Sequence, residues 1–92
     1  MPIVVKIDTE DNREVRMLFH KYNALLDVLA YIYKMSDEKH SDFLERKIEE
    51  AVALHIELEA AKSKCENKYR PNDQCTSYSF DFINETMIFE VA

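Results

Sequence analysis

The residues of this sequence with the greatest potential for chemistry are its cysteines and histidines. Cys65 and Cys75 are separated by nine residues, a spacing that matches no zinc-binding pattern. The histidines His20, His40 and His55 lie far apart in the sequence. We therefore expect no metal site, and we expect both cysteines to be reduced thiols, as is usual in a cytoplasmic protein.

His55 is the candidate for a catalytic base, because it lies on the apolar face of a predicted helix. A base of this kind activates a nucleophile, and none accompanies His55 in the sequence. Cys65 lies near the C-terminus of the same predicted helix, where the helix dipole disfavours a thiolate. We therefore predict no catalytic residue and no enzyme, and we interpret His55 as a core or edge histidine.

The acidic residues of this helix are interleaved with basic ones, as Glu45 and Glu49 are with Arg46 and Lys47. This spacing is typical of a solvated, ion-paired helix face. A ferritin-like carboxylate site requires Glu-x-x-His repeats on facing helices, and neither predicted helix contains one. The absence of glycine excludes P-loops, dinucleotide-binding fingerprints and nucleophile elbows. We expect no cofactor and no small-molecule substrate.

The charge of the chain argues against two classes of partner. The net charge is −6, and residues 71–92 carry four acidic residues and no basic one. Nucleic-acid backbones and anionic membranes both attract clustered lysine and arginine, so we expect neither as a partner. No apolar run approaches the roughly 18–20 residues of a membrane-spanning helix, and the first residues do not resemble a signal peptide. We therefore expect a cytoplasmic protein.

The hydrophobic pattern predicts one strand and two long helices. In residues 3–7 the β-branched Ile3, Val5 and Ile7 alternate with Val4 and Lys6, which indicates a half-buried strand. Apolar residues spaced three and four apart predict helices at 11–35 and 42–69, with the polar segment 36–42 as the tip of a helical hairpin. Pro71 cannot continue a helix and marks the end of the second one.

The last segment, residues 77–91, predicts a β-hairpin. Asn84 and Glu85 form a plausible two-residue turn, with Asn84 in the left-handed conformation that asparagine tolerates. That turn sets the cross-strand pairs Phe82 with Met87, Phe80 with Phe89 and Tyr78 with Val91. All six residues then share one face of the sheet.

Together these elements predict a single α+β domain over residues 1–92, with the order β-α-α-β-β. A three-stranded sheet packs on a long antiparallel helical hairpin. If every element reverses the direction of the chain, the first strand pairs either antiparallel with the second strand or parallel with the third. The sequence does not choose between these two strand orders.

The predicted helices are about twice as long as the predicted strands. The helices, about 25 and 28 residues, are about 37 and 42 Å long, whereas six-residue strands span roughly 20 Å. The sheet therefore covers about half of the hairpin, although large apolar residues continue towards the tip. An exposed remainder of this kind usually marks an interface. The predicted interface residues are Leu25, Leu26, Leu29, Ile32, Tyr33, Leu44, Ile48 and Val52.

These observations predict a small, non-catalytic protein-interaction domain. The simplest arrangement is a homodimer in which two hairpins form a four-helix bundle, and docking on another protein is the other form. If the hairpin curls over the sheet, or if a helix is shorter, no surplus apolar surface exists. The alternative function is an inhibitor encoded by a phage or mobile element, similar to an anti-CRISPR protein, which presents an acidic surface; the base-free segment 71–92 supports it.

Overall fold

The predicted α+β fold is confirmed by the structure, a computed structural model that describes residues 2–34 and 41–92. Five elements follow in the order β-α-α-β-β, and the two helices form an antiparallel hairpin packed on a three-stranded sheet. Residues 35–40, which include most of the predicted hairpin tip, lie outside the described residues. The elements are β1 (Ile3–Lys6), α1 (Thr9–Lys34), α2 (Ser41–Tyr69), β2 (Cys75–Asp81) and β3 (Thr86–Val91).

Both helix ends near the sheet have a clear local cause. The Asn12 amide donates to the Asp8 carbonyl at 2.9 Å, so α1 begins at Thr9, two residues before the predicted start. Acidic residues in this first turn, Glu10 and Asp11, interact favourably with the positive end of the helix dipole. At the other end, α2 stops at Tyr69, two residues before the proline that cannot continue it.

The strand order is β1-β3-β2, with β3 in the centre and both pairings antiparallel. Both orders considered from the sequence are therefore wrong: β1 does lie beside β3, but antiparallel to it. The assumption that failed is that every element reverses the chain direction. Because β1 and β2 are both antiparallel to β3, they run in the same direction.

The connection between α2 and β2 explains this topology. The Ile7 amide donates to the Glu85 carbonyl at 2.9 Å, which places the end of β1 at the hairpin turn. Tyr69 reaches the same end of the sheet, whereas Cys75 pairs with Val91 at the opposite end of β3. The segment 70–74, which turns at residues 73–74, therefore carries the chain back to the start of β2. The Arg70 guanidinium donates to the Cys75 carbonyl at 2.6 Å and holds this connection.

The register of the β-hairpin differs from the predicted one by two residues. Phe80 pairs with Met87 and Tyr78 pairs with Phe89, so the loop contains the four residues 82–85 instead of two. A shift of two residues preserves the face of every side chain, because side chains alternate with a period of two. The predicted inner face therefore remains correct, although the predicted pairs are wrong.

The turn also uses a different residue from the predicted one. Glu85, and not Asn84, adopts a positive φ of 54°. Asn84 instead stabilises the turn through Asp81: its amide nitrogens, backbone and side chain, donate to the two carboxylate oxygens at 3.2 and 2.7 Å. These hydrogen bonds hold the pKa of Asp81 below its ordinary value.

The core lies between the inner face of the sheet and the first turns of the hairpin. Its central side chains are Met87 and Phe89 of β3 and Val15 of α1, all of which are completely buried. Full burial of such side chains contributes about 1.5–3 kcal/mol each. A β-bulge between Cys75 and Ser77 turns the first residue of β2 inwards to join them.

The molecule is elongated because the hairpin extends beyond the sheet. Its principal extents are 51 × 27 × 18 Å, and its radius of gyration is 16.6 Å. A compact domain of this length has a radius of gyration of about 12 Å. We call residues 9–22 and 58–69, which cover the sheet, the proximal half of the hairpin, and residues 23–34 and 41–57 the distal half. Ala51 is the only buried residue among those described in the distal half.

Candidate interaction surface

The predicted interface residues all lie in the distal half, where they divide into two sets. Leu25, Leu29, Ile32 and Leu44 are half-buried, because they lie along the line of contact between the helices. The other four are exposed: Leu26 by 39%, Ile48 by 47%, Val52 by 55% and Tyr33 by 74%.

Three of these exposed residues, all but Tyr33, line a shallow groove of about 370 Å³ between the two helices, which we call the distal groove. Its surface is mostly apolar, and none of its residues is an aspartate, glutamate, lysine or arginine. It is lined by Tyr22, Leu26, Leu29, Ile48, Ala51, Val52, His55 and Ile56. The groove thus contains four of the predicted interface residues and four that were not predicted.

The distal groove continues the face of the hairpin that the sheet covers. In the proximal half, Phe19 of α1 packs on Phe82, with ring centroids 5.6 Å apart. Leu26 follows Phe19 two helical turns further along and occupies the same row of α1. The sheet ends before it reaches Leu26, although the two side chains are equally exposed, Phe19 by 40% and Leu26 by 39%.

Between the hairpin and β2 the covered face contains a smaller cleft of about 210 Å³. Its walls include the rings of Phe19, Tyr78, Phe80 and Phe82, and Phe80 stacks on Phe82 with centroids 5.7 Å apart. Burial raises the pKa of the Tyr78 hydroxyl, and nearby Glu66 adds to the effect. This cleft joins the sheet to the hairpin through aromatic contacts.

A second depression between the helices differs from the distal groove in the charges of its residues, although its surface is equally apolar. It is lined by Arg13, Glu14, Met17, Leu18, Lys21 and Glu57, of which four are charged. Charged residues are depleted in the centres of protein interfaces. The contrast identifies the distal groove, and not the second depression, as the candidate interaction surface.

His55 lies at the edge of the distal groove and is about half exposed. Its ring packs on Tyr22 with centroids 5.3 Å apart, and its Nε2 lies 3.7 Å from the Glu59 carboxylate. Glu59 also accepts a hydrogen bond from Lys62 at 3.3 Å. These contacts tie His55 to a groove wall and to an ion pair, and no serine, threonine or cysteine lines the groove.

Both cysteines are free and buried in the same core cluster. Burial raises the pKa of the Cys65 thiol, and the nearby carboxylates Asp11 and Glu14 add to the effect. A thiol that is both covered and harder to ionise is a poor nucleophile. Among residues 2–34 and 41–92, no group of three or more metal-ligating side chains converges on one point.

A polar cluster at the base of the hairpin was not foreseen from the sequence. Lys68 of α2 binds Asp8 and Asp11 at 3.2 and 2.8 Å, and the Tyr69 hydroxyl donates to Asp11 and accepts from the Asp8 amide at 3.0 Å. The hydrogen bonds from Lys68 and Tyr69 hold the pKa of Asp11 below its ordinary value. The cluster joins the end of α2 to the start of α1, which is a structural role.

The sequence contains a weak signal for one further groove residue, Ile56. Ile56 is not among the predicted interface residues, yet it follows Ile48 and Val52 at intervals of four residues. Residues spaced four apart form one ridge on a helix. The exposed fraction rises along this ridge from 47% to 55% to 63%, because each step of four rotates the side chain by about 40°.

In the described part of the chain, neither helix combines the length and the apolar character needed to cross a membrane. Comparison of this chain with protein-family models, with curated proteins and with solved structures finds no match.

Proposed function

We propose that this chain is a small, non-catalytic protein-interaction domain that self-associates through the distal half of its helical hairpin. The observation that carries the proposal is the exposed ridge Ile48–Val52–Ile56 beside Leu26, all in one uncharged groove. Apolar surface that continues a buried face beyond its cover is stabilised when a second apolar surface removes it from water.

The size of the face indicates the strength of the association. The distal half of α1 is about 18 Å long, and two packed helices are roughly 20 Å wide, which gives about 400 Å² of face for each copy. Two such faces bury about 800 Å² in total, below the roughly 1,000 Å² that stable specific interfaces exceed, so the association is weak or transient. We therefore expect a dissociation constant in the micromolar range.

A non-catalytic role is part of the proposal. The chemically active side chains are distributed among separate environments: the Cys65 thiol lies in the core, and His55 lies on the groove wall beside Glu59. Catalysis requires such groups within hydrogen-bond reach of one another and of a substrate. We also propose a cytoplasmic location, which the free thiols of Cys65 and Cys75 support.

The alternative proposal, an inhibitor that presents an acidic surface, has less support. Of the acids that motivated it, Asp81 uses its carboxylate to bind Asn84 within the turn. Glu85 accepts a hydrogen bond from the Thr9 hydroxyl at 2.7 Å. Two of the four carboxylates in the base-free segment therefore have structural partners within the fold.

Sedimentation equilibrium over a concentration range from about 5 to 500 µM tests the proposal. We expect the mass to rise from 10.9 kDa towards twice that value. Val52→Asp places a charge in the groove and should hold the chain monomeric. Val28→Asp is the matched control, because Val28 is exposed by 44% outside the groove and should leave the association unchanged. A chain that stays monomeric throughout the range contradicts the proposal.

A further inference from the structure

We infer that the free edge of β2 is a docking site for an extended segment of another protein. The segment adds to the sheet as a fourth strand and inserts a large apolar side chain into the cleft beside β2, which we call the aromatic cleft. The strand order is β1-β3-β2, so among the described residues β2 has a strand neighbour on one side only. An open edge offers main-chain donors and acceptors, and pockets beside it select the side chains of the added strand. This surface is separate from the distal groove, and the inference does not depend on self-association.

The first argument is the direction of the main-chain groups of β2. In an antiparallel pair, every second residue exchanges both of its hydrogen bonds with the neighbouring strand. The bond from the Ile7 amide to the Glu85 carbonyl fixes this alternation, so Met87 of β3 bonds to β1. The next residue, Ile88, therefore bonds to its partner Ser79 of β2.

The main chains of Tyr78 and Phe80, on either side of Ser79, consequently face away from β3. Their side chains lie on the inner face of the sheet, because they pair with the buried Phe89 and Met87. Each of these two residues thus directs its amide and carbonyl to the open edge and its ring to the aromatic cleft. Paired residues of neighbouring strands point to the same face, so a residue that pairs with Phe80 from an added strand points into the cleft.

The second argument is the position and size of the aromatic cleft. It is lined by three consecutive residues, 78–80, although the side chains of a strand alternate between its faces, so the cleft reaches the main chain of β2. Its volume is about 210 Å³. A cavity of about 150 Å³ is large enough for benzene. The cleft can therefore accept one side chain of the size of leucine or phenylalanine, in contact with the rings of Phe19 and Phe80.

The third argument is the contrast between the two edges of the sheet. Natural edge strands avoid unwanted pairing when they are short or carry proline or lysine. The strand β1 has four residues, follows Pro2 and ends at Lys6. The strand β2 has seven residues, and none of them is proline, lysine or arginine. A bulge disturbs only its beginning, between Cys75 and Ser77, so residues 77–81 form an unprotected edge.

The fourth argument is charge, which indicates the kind of partner. Burial, and then the nearby carboxylates of Glu66 and Glu59, raise the pKa of the Tyr78 hydroxyl. Lys62 lines the cleft but donates to Glu59 at 3.3 Å, and residues 71–92 contain no basic residue. A segment with basic residues beside its apolar one is therefore complementary to this edge. A second copy of this chain would bring another base-free strand, so the charges favour a different protein.

Amide hydrogen exchange measured by NMR tests the added strand with a defined probe. The probe is the synthetic peptide acetyl-Arg-Thr-Phe-Thr-Leu-Thr-Arg-amide, whose phenylalanine and leucine share one face of a strand. In the free chain, the amides of Tyr78 and Phe80 should exchange quickly and that of Ser79 slowly. Saturating peptide should slow the exchange at Tyr78 and Phe80 about tenfold or more, because both amides gain an acceptor. The amides of Val4 and Lys6, which face the open edge of β1, should not change.

Matched controls separate insertion into the aromatic cleft from general adhesion. A peptide of the same composition with adjacent phenylalanine and leucine directs them to opposite faces, and it should bind about fivefold more weakly or less well still. Phe19→Ala removes a wall of the cleft and should weaken binding of the probe by about the same factor. Phe43→Ala should leave the binding unchanged, because Phe43 is exposed by 45%, much as Phe19 is by 40%, but lies in the distal half.

Three outcomes overturn the inference: no binding at about 1 mM peptide, slower exchange at the β1 edge instead, or binding that leaves exchange at Tyr78 and Phe80 unchanged. Protection of these two amides that rises with the concentration of the chain alone assigns the edge to a second copy, and it overturns the choice of partner. None of these outcomes affects the proposed self-association, which is tested separately by the sedimentation of the Val52→Asp variant.

Discussion

The proximal and distal halves of the hairpin are made from the same two helices, yet the proximal half contributes far more buried residues. The proximal half supplies Val15, Leu58, Ala61 and Cys65 to the core, whereas the distal half has Ala51 as its one buried described residue. Both halves carry large apolar side chains at helical spacing. The comparison shows that burial along these helices is determined by the reach of the sheet and not by the composition of the helices.

The largest loss of unfolding free energy should come from a substitution in the core between the sheet and the proximal half. Phe89 is only 1% exposed in the central strand, so Phe89→Ala should cost about 3–5 kcal/mol of unfolding free energy by leaving a cavity. Urea unfolding followed by circular dichroism measures the loss. The exposed distal residue Tyr31 provides the control, since Tyr31→Ala should change the free energy by less than about 0.5 kcal/mol. Similar losses for the two variants would remove the distinction between the halves.

The second-largest loss of unfolding free energy should come from a buried polar contact at the base of the hairpin. Asn12 is 3% exposed, and its side-chain amide donates to the Phe82 carbonyl at 3.1 Å. Asn12→Asp removes the donor and buries a carboxyl, which should cost about 2–4 kcal/mol at neutral pH.

The pH dependence of the Asn12→Asp variant supplies a second readout. Burial raises the pKa of a carboxyl, so the penalty is present above that raised pKa and should disappear as the pH falls below about 4, the unfolded value. Unfolding curves of the variant and of the original chain, measured at several pH values, test this expected recovery of stability. Asn23→Asp, at an exposed distal position, should show neither the loss nor the recovery.

A smaller effect is expected at Asp11, which joins α1 to Lys68 and Tyr69 of α2. Asp11→Asn should cost about 1–2 kcal/mol, at the lower end for charged hydrogen bonds because Lys68 is half exposed and screened by water. Because the pKa of Asp11 is lowered in the folded chain, its contribution is complete above the unfolded pKa of about 4 and is lost as the pH falls through the folded value. The exposed first-turn residue Asp42 gives the control variant, Asp42→Asn.

The smallest loss of unfolding free energy should come from a substitution in the distal groove, measured on the monomer. Leu26→Ala should cost less than about 1 kcal/mol when it is measured at low micromolar concentration, because Leu26 is already 39% exposed. The same change at Leu58, which is 4% exposed, should cost about 2–5 kcal/mol. A loss at Leu26 equal to that at Leu58 would mean that the groove is closed in the single chain.

Much of the fold was predictable because it depends on periodicity. Alternation along residues 77–91 identifies the inner face of the hairpin, and that face survives although the pairs Phe82–Met87 and Phe80–Phe89 are wrong. The shift arises because Glu85, and not Asn84, takes the left-handed conformation and closes a four-residue loop. Residue preferences alone favour asparagine there, whereas the Asp81–Asn84 hydrogen bonds decide the outcome.

The rest depends on contacts between residues far apart in the chain. The pairing of β1 follows from the return of segment 70–74 along the sheet, which no local pattern encodes. The location of the distal groove also depends on contacts between distant residues. Helical spacing places Ile48 and Val52 on one face of α2, but only the position of the sheet shows which side of the hairpin is covered. Ile56 and His55 were missed as groove residues for that reason.

The central position of β3 also has a consequence for how the protein is made. Its partner β1 lies some 80 residues earlier in the chain, and both other strands depend on it for their hydrogen bonds. During synthesis, both helices are therefore complete before the central strand of the sheet has been made. Long-range pairing of this kind slows folding. Until β3 has paired with β1 and β2, no sheet covers the apolar face of the proximal half.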